Sequence, residues 1–460
     1  MGFFQENRGI SIMEQKLARK YGLLTAICMV VGTVIGSGIF FRNEDIVGYV
    51  GGRMSIGIAA WLVGGLITLS STYVFGILAT RHERVGGLID FAEVMIGNKY
   101  AYLFGWFMAT VFYPAMSGIL AWIAARFTVV LFGWDVDPFF SGQTYALAMF
   151  YLMSIYAINV LAQKLSGKFQ VSTTFIKLIP LVSMGIIGTI AGLMNGTTAA
   201  NLQSDYVRVA TSNPFLSALV ATVFAYVGWD SVLSLNSEIK NSKKNLPIAL
   251  VAGLLIITAV YVLYFIGIFS AAPVQELADG AGVRGAFVNV FSEIGGTALF
   301  VFIVISCLGT LNGLTMGGQR AFYILSARGQ GPKPEMFSQV DNVTNIPNNS
   351  AAVFVLLAAF WILVHSGNFA GWYGDFNLNI PGLVPIFFQL FLIPLYFVTI
   401  FTQTSLGAFN RILAPILAIL GGAVLLYAAV VTQGTRIIVF GALLLAIMLI
   451  GAAFYKKSAE

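Results

Sequence analysis

Charged residues are scarce in this sequence of 460 residues. Lys, Arg, Asp and Glu make up 10% of it, where a soluble domain carries about 25%. Apolar residues make up 58%, and the mean hydropathy is +0.86. So little polar surface cannot cover a globule of this size in water, which excludes a soluble enzyme, a nucleic-acid-binding protein and a disordered chain. The composition leaves a multi-pass membrane protein.

Cysteine and histidine are also rare, with two residues of each. Cys28 and Cys307 lie in apolar stretches, where a free thiol behaves as a small hydrophobic group. His82 and His365 are far from each other and from the cysteines, so no metal-ligand spacing is present. The phosphate-binding pattern G-x-x-x-x-G-K-[ST] is absent as well. The sequence therefore predicts no enzyme, no metal, no cofactor and no ATP-driven pump.

Long apolar runs dominate the chain. A membrane-spanning helix needs about 20 such residues, and the runs are continuous instead of alternating as in barrel strands. We therefore predict an all-α integral membrane protein with twelve transmembrane helices. The predicted spans are 22–46, 55–79, 98–132, 143–163, 168–194, 214–237, 247–271, 295–327, 350–366, 376–402, 408–432 and 435–455.

Basic residues are distributed unevenly between the predicted loops. An even number of spans places both termini on one side, and that side takes 17 of the 25 Lys and Arg residues. The opposite loops take four, namely Arg53, Arg208, Arg284 and Arg436. Because cytoplasmic loops are enriched in Lys and Arg, we predict that both termini are cytoplasmic in the plasma (inner) membrane. Four others fall within or at the ends of spans: Arg42, Arg126, Lys177 and Arg320. Of these, Arg126 and Arg320 are interpreted as snorkelling anchors.

Two apolar spans are interrupted. Span 1 contains Val-Ile-Gly-Ser-Gly-Ile-Phe (34–40), and span 6 contains Phe-Ala-Tyr-Val-Gly-Trp-Asp (224–230). Each glycine lowers helix propensity by about 1 kcal/mol relative to alanine. The two spans are equivalent if the chain consists of two five-helix repeats, about 21–194 and 214–402, followed by helices 11 and 12 at about 408–455. Interrupted helices in corresponding positions indicate a transporter site at the bilayer midplane.

The chemistry of such interruptions favours a zwitterionic ligand. Freed backbone groups must face a protein-lined cavity because lipid cannot satisfy them. The start of the second half-helix presents N–H donors to a carboxylate, and the carbonyls that end the first half suit an ammonium group. Tight helix packing through Gly32-x-x-x-Gly36 is the alternative interpretation of the glycines in span 1.

Two charged residues lie inside the spans near these interruptions. Lys177 lies nine residues past Lys168, ~13.5 Å along a helix, and a cation at that depth costs at least ~2.5–3.5 kcal/mol. It is interpreted as a fixed positive charge replacing a coupling ion, or as a proton carrier, with a structural lysine as the alternative. Asp230 is either the N-cap of the second half of span 6 or a contact on the translocation path.

Three motifs together resemble a known family: 34–40, 224–230 and Glu-Ile-Lys-Asn-Ser-Lys-Lys-Asn-Leu-Pro (238–247). They are similar to the amino acid–polyamine–organocation superfamily, and most similar to its L-type amino-acid transporter branch. Segments 308–313 and 320–323 of span 8 also fit. The resemblance implies a five-plus-five inverted repeat with broken helices 1 and 6, followed by two further helices.

The resemblance also implies a set of site residues. The substrate carboxylate would bind the amides of Gly36, Ser37 and Gly38, and Phe224 would be an aromatic gate. The ammonium group would meet the carbonyls of Ile35, Phe224, Ala225 and Val227. Tyr226, between these carbonyls, completes the predicted substrate-binding set. Lys177 matches a lysine that takes the place of a sodium ion in sodium-coupled relatives, and would contact span 1 near Gly38 and a span 8 hydroxyl mapped to Ser306.

These features support a sodium-independent exchanger of small neutral L-amino acids such as alanine and serine, working by alternating access. No spare acid is evident for a cationic side chain and no site arginine for an anionic one. Proton-coupled uptake through Lys177 and a cationic amino-acid or polyamine carrier remain as alternatives. The loop 133–142 has no cysteine, so a disulfide-linked partner subunit is not expected; the expected partners are amino acids and the lipid bilayer, not nucleic acid.

Overall fold

The computed structural model describes residues 21–81, 86–204, 212–278, 282–341, 344, 346–374 and 376–456. Within these ranges the regular secondary structure is helical. Eleven helices are long and apolar enough to cross a membrane, and the bent pair Leu23–Val34 and Gly38–Val50 makes a twelfth span. The predicted all-α fold with twelve spans is therefore confirmed. His82 and Arg208 lie outside the described residues, and the division into two repeats stays a prediction.

The spans keep their sequence order and numbers. They are Leu23–Val34 with Gly38–Val50 (span 1), Met54–Arg81 (2), Asn98–Leu131 (3), Gly142–Leu161 (4), Leu165–Met194 (5), Pro214–Ala225 with the 3₁₀-helix Trp229–Glu238 (6), Ser242–Ala271 (7), Gly282–Ser326 (8), Asn348–Ser366 (9), Ile380–Thr402 (10), Phe409–Gln433 (11) and Thr435–Ala453 (12). Short helices between them are Leu88–Met95, Thr197–Leu202, Val274–Ala278 and Pro334–Phe337.

Several span boundaries differ from the predicted ones, among them the end of span 1 and the starts of spans 7, 8 and 10. Span 8 was placed from residue 295, but its helix begins at Gly282 and bends at Ser292, where φ is +62°. The polar residues around this bend lower the local hydropathy, which hides the first helical segment from a search for apolar runs. Span 10 begins at Ile380 instead of 376 because the Asn379 side chain caps it by accepting a hydrogen bond from the Gly382 amide.

Prolines widen two of the spans locally. A π-helical turn, Met108–Phe112, precedes Pro114 in span 3, and another, Met184–Gly188, follows Pro180 in span 5. Proline has no N–H and cannot donate to the carbonyl one turn back, so the helix changes its hydrogen-bond register there. In span 3 the widened turn leads directly into a tyrosine of the candidate site.

A buried polar cluster fixes span 5 against span 8. The Asn159 Nδ2 donates to Asn312 Oδ1 at 2.8 Å, and the Ser166 hydroxyl donates to the same oxygen at 2.9 Å. The Asn312 Nδ2 in turn donates to Gln170 Oε1 at 3.0 Å. Paired amides and hydroxyls inside a helix bundle set the register of the helices they join. This cluster therefore determines where Lys177, two turns further along span 5, meets span 1.

Contacts between loops place both described chain ends on one face. The Lys240 amide donates to the Tyr21 carbonyl at 2.8 Å, which joins the start of span 1 to the end of span 6. The Gln330 side chain donates to the Lys456 carbonyl at 2.8 Å, which joins the last described residue to the end of span 8. The arrangement agrees with an even number of crossings.

Candidate functional site

The helix of span 1 stops at Val34 and resumes at Gly38, with a bend of 48° between its halves. Ile35 is extended, with φ −68° and ψ +99°. Within the described residues, the amides of Gly36, Ser37 and Gly38 donate no backbone hydrogen bond. Three N–H groups at the start of a half-helix are therefore available to an anion.

Span 6 is broken at a matching place. Its α-helix ends at Ala225, and the Val227 amide closes a turn by donating to the Phe224 carbonyl at 3.4 Å. Gly228 then adopts φ +107°, a conformation that side chains of L-residues rarely allow. A 3₁₀-helix starts at Trp229. The glycine thus lets the chain leave the α-helical conformation within a buried segment.

The two breaks pack against each other, backbone to backbone. A Cβ atom built on Gly38 would lie 2.6 Å from the Ala225 Cα, and one on Gly228 would lie 2.9 Å from the Thr33 carbonyl oxygen. The Tyr261 hydroxyl of span 7 lies 2.9 Å from the Ala225 carbonyl oxygen and 3.3 Å from that of Val34. Tyr261 therefore holds the ends of both first half-helices together.

Lys177 contacts the end of the first half of span 1. Its side chain is fully buried, and Nζ donates to the carbonyl oxygen of Gly32 at 2.6 Å and to that of Ile35. The Thr310 hydroxyl of span 8 donates to the Ile35 carbonyl at 3.3 Å. Carbonyls that end a helix have no partner within it, and the ammonium group supplies that partner.

The predicted contact of Lys177 with the broken segment of span 1 is present, at Ile35 in place of Gly38, and the predicted contact with Ser306 is wrong. Ser306 Oγ is buried and has no hydrogen-bond partner within the described residues. The lysine points to the carbonyl end of the first half-helix, because an ammonium group is a donor and the start of the second half offers only N–H groups. Thr310, one turn beyond Ser306, is the span 8 hydroxyl that reaches the break.

The predicted N-cap role of Asp230 is also wrong. Gly228 is the residue that precedes the 3₁₀-helix, and Asp230 lies within its first turn. The Asp230 carboxylate is buried, and its Oδ2 accepts a hydrogen bond from the Tyr113 hydroxyl at 3.3 Å. The acid therefore ties the second half of span 6 to the residue that follows the π-helical turn of span 3.

The predicted residues of span 6 do not all face the breaks. The Phe224 ring is buried beneath the Arg42 guanidinium, whose carbon lies 5.3 Å from the ring centroid. The Tyr226 hydroxyl instead donates to the Trp61 carbonyl of span 2 at 2.9 Å. Its side chain thus contacts span 2, and the role of Tyr226 in substrate binding stays a prediction. Only the backbone of Tyr226 lies in the break.

Three residues that form this geometry were not identified from the sequence: Tyr113, Tyr261 and Thr310. Tyrosine and threonine are common in apolar spans and give no periodic signal. Their roles depend on how spans 3, 7 and 8 pack against the breaks, which one sequence does not encode locally. The π-helical turn before Tyr113 is the one local hint, because such turns are frequent at functional sites.

A cavity of about 490 Å³ lies on the other side of Phe224, at the end of span 1 away from Tyr21. We call it the vestibule. Its lining includes Arg42, Asp45, Trp122, Arg126, Phe139, Ser212, His365, Phe369, Asn377 and Arg436. The interpretation of Arg126 as an anchor in the interface is wrong, because its guanidinium turns inward to this cavity, 3.9 Å from the Phe139 ring centroid. Arginines thus lie close to the breaks, which the sequence did not indicate.

Comparison with known proteins agrees with this geometry. The family model described as amino acid permease matches residues 21–453. The chain belongs to the amino acid permease family. The serine/threonine exchanger SteT of Bacillus subtilis is 31% identical over 351 residues, covering 76% of this chain and 77% of SteT. The human b(0,+)-type amino acid transporter 1 is 25% identical over 83% of this chain and 79% of that protein. The human cystine/glutamate transporter is 24% identical over 85% and 79%, respectively.

Membership of the permease family confirms the resemblance of the three motifs. The chain is a member of the amino acid–polyamine–organocation superfamily, in its L-type branch. It is a multi-pass membrane protein that transports amino acids, and it is not an enzyme. The paired breaks of this permease are consequently the place to look for its substrate.

Proposed function

We propose that this permease is a sodium-independent exchanger of small neutral L-amino acids, such as alanine and serine, and works by alternating access between the two breaks. The observation that carries this proposal is the position of Lys177. Its ammonium group lies on the carbonyls of Gly32 and Ile35, beside the free amides of Gly36 to Gly38. An ammonium group of the protein thus stabilises the end of the half-helix where a soluble cation would otherwise be needed.

The two breaks are suited to the carboxylate and ammonium groups that all amino acids share. The amides of Gly36, Ser37 and Gly38 are donors for a carboxylate, and a half-helix start adds a partial positive charge. The carbonyls of span 6 lie against this point, because Gly38 contacts Ala225 directly, and they suit an ammonium group. The close packing of the breaks favours a substrate with a small side chain. The serine/threonine exchanger SteT, with 31% identity, supports exchange and a small substrate.

One observation favours a second candidate, proton-coupled amino-acid uptake. The hydrogen bonds of Lys177 run to two neutral carbonyls. A neutral amine keeps two N–H donors, enough for both carbonyls, so loss of a proton would leave the break intact. A cationic amino-acid or polyamine carrier has less support, because the Asp230 carboxylate is directed to Tyr113.

We further propose the arrangement in the membrane. Both termini lie in the cytoplasm because the loops on their side carry 17 of the 25 basic residues. The vestibule then faces the outside, since it lies at the other end of span 1. The repeats extend over about 21–194 and 214–402. The permease works without a disulfide-linked subunit, because the loop 133–142 offers no thiol.

Exchange is tested with the purified protein in proteoliposomes. We expect uptake of labelled serine or alanine in sodium-free buffer to rise about tenfold when unlabelled serine is inside, because a carrier that returns empty must rearrange the lysine-bound break without substrate. An imposed proton gradient should leave this rate unchanged. Uptake that ignores internal serine and follows the proton gradient would replace exchange by proton coupling. Liposomes that contain a non-transported solute, such as sorbitol, in place of serine give the baseline uptake rate.

A further inference from the structure

The vestibule carries more positive than negative charge. Among the lining residues that the structure describes, Arg42, Arg126 and Arg436 are cationic and Asp45 is the one acid. Arg42 and Asp45 form an ion pair with a separation of 2.7 Å, so their charges offset each other. This leaves Arg126 in the wall and Arg436 in the first turn of span 12 without a counter-charge in the described lining. Such a concave, basic surface attracts anions.

Arg126 has hydrogen-bond donors available to an anion. Its Nε is buried and has no hydrogen-bond partner within the described residues. The carboxylates of Glu44, Asp45 and Asp137 are near enough to interact with it through their charge, but none of them forms an ion pair with it within the described residues. A guanidinium carries five N–H donors and binds a carboxylate through two parallel hydrogen bonds. Arg126 thus offers donors that the protein itself does not use.

The rest of the vestibule suits an amino acid better than a bare inorganic anion. The guanidinium of Arg126 is held against the Phe139 ring, and the rings of Trp122 and Phe369 are stacked with centroids 5.2 Å apart. His365 meets the Trp122 ring edge-on at 4.8 Å. Aromatic walls beside one charged donor are typical of sites for small organic ligands. They would cover an aliphatic side chain while the carboxylate contacts the arginine.

The vestibule also lies directly on the route to the breaks. Arg42 belongs to its lining and lies over the Phe224 ring, and Phe224 closes the first half of span 6 next to Ala225. Any molecule that leaves the vestibule toward the breaks must therefore pass Phe224. The vestibule therefore lies between the outside and the substrate site, where an arriving amino acid would bind first.

We propose that the vestibule is an outer carboxylate-binding site, in which Arg126 holds the carboxylate of an arriving amino acid before it passes Phe224. The proposal rests on the proposed function for its direction, from outside to inside. The binding itself requires only the cavity and its charges. Its ligand class is a small organic carboxylate, with amino acids as the physiological members.

A single introduced cysteine reports the charge of the vestibule. Asn377 is exposed and lines it, and Asn377→Cys is compared with Ala199→Cys, an exposed position in the helix after span 5. Both purified variants are treated in detergent with an anionic and a cationic methanethiosulfonate reagent. Relative to Ala199→Cys, we expect the ratio of anionic to cationic modification rates to be about tenfold higher at Asn377→Cys, because the basic cavity concentrates anions. Protein without an introduced cysteine gives the background from the native thiols.

Substitution of the arginine identifies the residue responsible. Arg126→Gln in the Asn377→Cys protein should remove most of this preference, whereas Arg126→Lys should retain it. Arg284→Gln, which breaks an exposed ion pair with Glu293, should change nothing. An unaltered modification rate of Ala199→Cys in the Arg126→Gln protein shows that the fold is intact. A preference that survives Arg126→Gln, or equal ratios at both cysteines, would overturn the proposal.

Protection identifies the ligand. Alanine and propionate should each slow modification of Asn377→Cys, and Arg126→Gln should abolish that protection. Ethylammonium and sodium chloride at the same concentration should not protect. Protection by chloride equal to that by propionate would contradict a carboxylate site. The assay needs no transport, so protection of the Asn377→Cys protein, combined with wild-type protein that transports no amino acid, would refute the proposed function and leave the vestibule site standing.

Discussion

We expect Gly38→Ala to lower the transport rate by about 100-fold or more. The added Cβ would lie 2.6 Å from the Cα of Ala225 and 3.2 Å from its amide nitrogen, so backbone and not a flexible side chain stands in the way. The two breaks must separate to admit the methyl group. A displacement of about 1 Å among positioned groups is enough to cost two orders of magnitude in rate. Initial uptake of labelled alanine into proteoliposomes measures the loss.

Gly48→Ala is the matched control for this substitution. Gly48 lies in the same half-helix, and a Cβ there would meet no atom within 4 Å. Alanine raises helix propensity by about 1 kcal/mol over glycine, so Gly48→Ala should transport normally and be at least as stable. Full activity of Gly38→Ala would show that the breaks need not touch during transport. An equal loss of transport in both variants would show that any change in this half-helix impairs transport, and not the contact at Gly38 in particular.

Lys177→Met is expected to lower transport by about two orders of magnitude while the protein remains folded. Methionine keeps the apolar stem and removes the donor, so the buried Gly32 carbonyl oxygen loses its partner and the Ile35 oxygen keeps only the Thr310 hydroxyl. A buried group that loses its partner costs about 1–3 kcal/mol, and about 3 kcal/mol corresponds to a factor near 100. The end of the first half-helix should then lose its fixed position beside the free amides. Uptake and thermal unfolding of the same preparation separate lost transport from lost folding.

Lys168→Met provides the comparison on the same helix. Lys168 is exposed, and its loss should leave uptake within about twofold of the wild type, as for other surface charges. An exchange rate of Lys177→Met close to that of Lys168→Met would mean that the break holds its shape without the ammonium group. Activity of Lys177→Met that returns only on addition of sodium would show that a soluble cation can replace the lysine.

The architecture was accessible from the sequence because the bilayer imposes a length on each apolar run. Twelve such runs gave twelve spans, and the glycines of 34–40 and Gly228 correctly marked both breaks. The boundaries of span 8 were less accessible. Its first segment is a helix whose polar residues around Ser292 interrupt the apolar signal.

The sequence allowed the candidate site to be predicted only where backbone groups form it. Gly36 to Gly38 and Ala225 are positioned by their own helix breaks, which the composition reveals. The span 8 hydroxyl that reaches the break could not be predicted, because the choice between Ser306 and Thr310 depends on the rotation of span 8, a property of packing and not of local pattern. Arg126 shows the same limit, since an arginine near a span end faces lipid or protein according to how the neighbouring helices are arranged.

Competition against labelled alanine uptake tests most directly whether the paired breaks hold a zwitterion. Unlabelled alanine and serine should inhibit, whereas alaninamide, which lacks the carboxylate, and propionate, which lacks the ammonium group, should be about 100-fold weaker, because each leaves one set of buried backbone groups unpaired. Ethylammonium should be equally weak. Inhibition by alaninamide or propionate as strong as that by alanine would contradict recognition of both charges between span 1 and span 6.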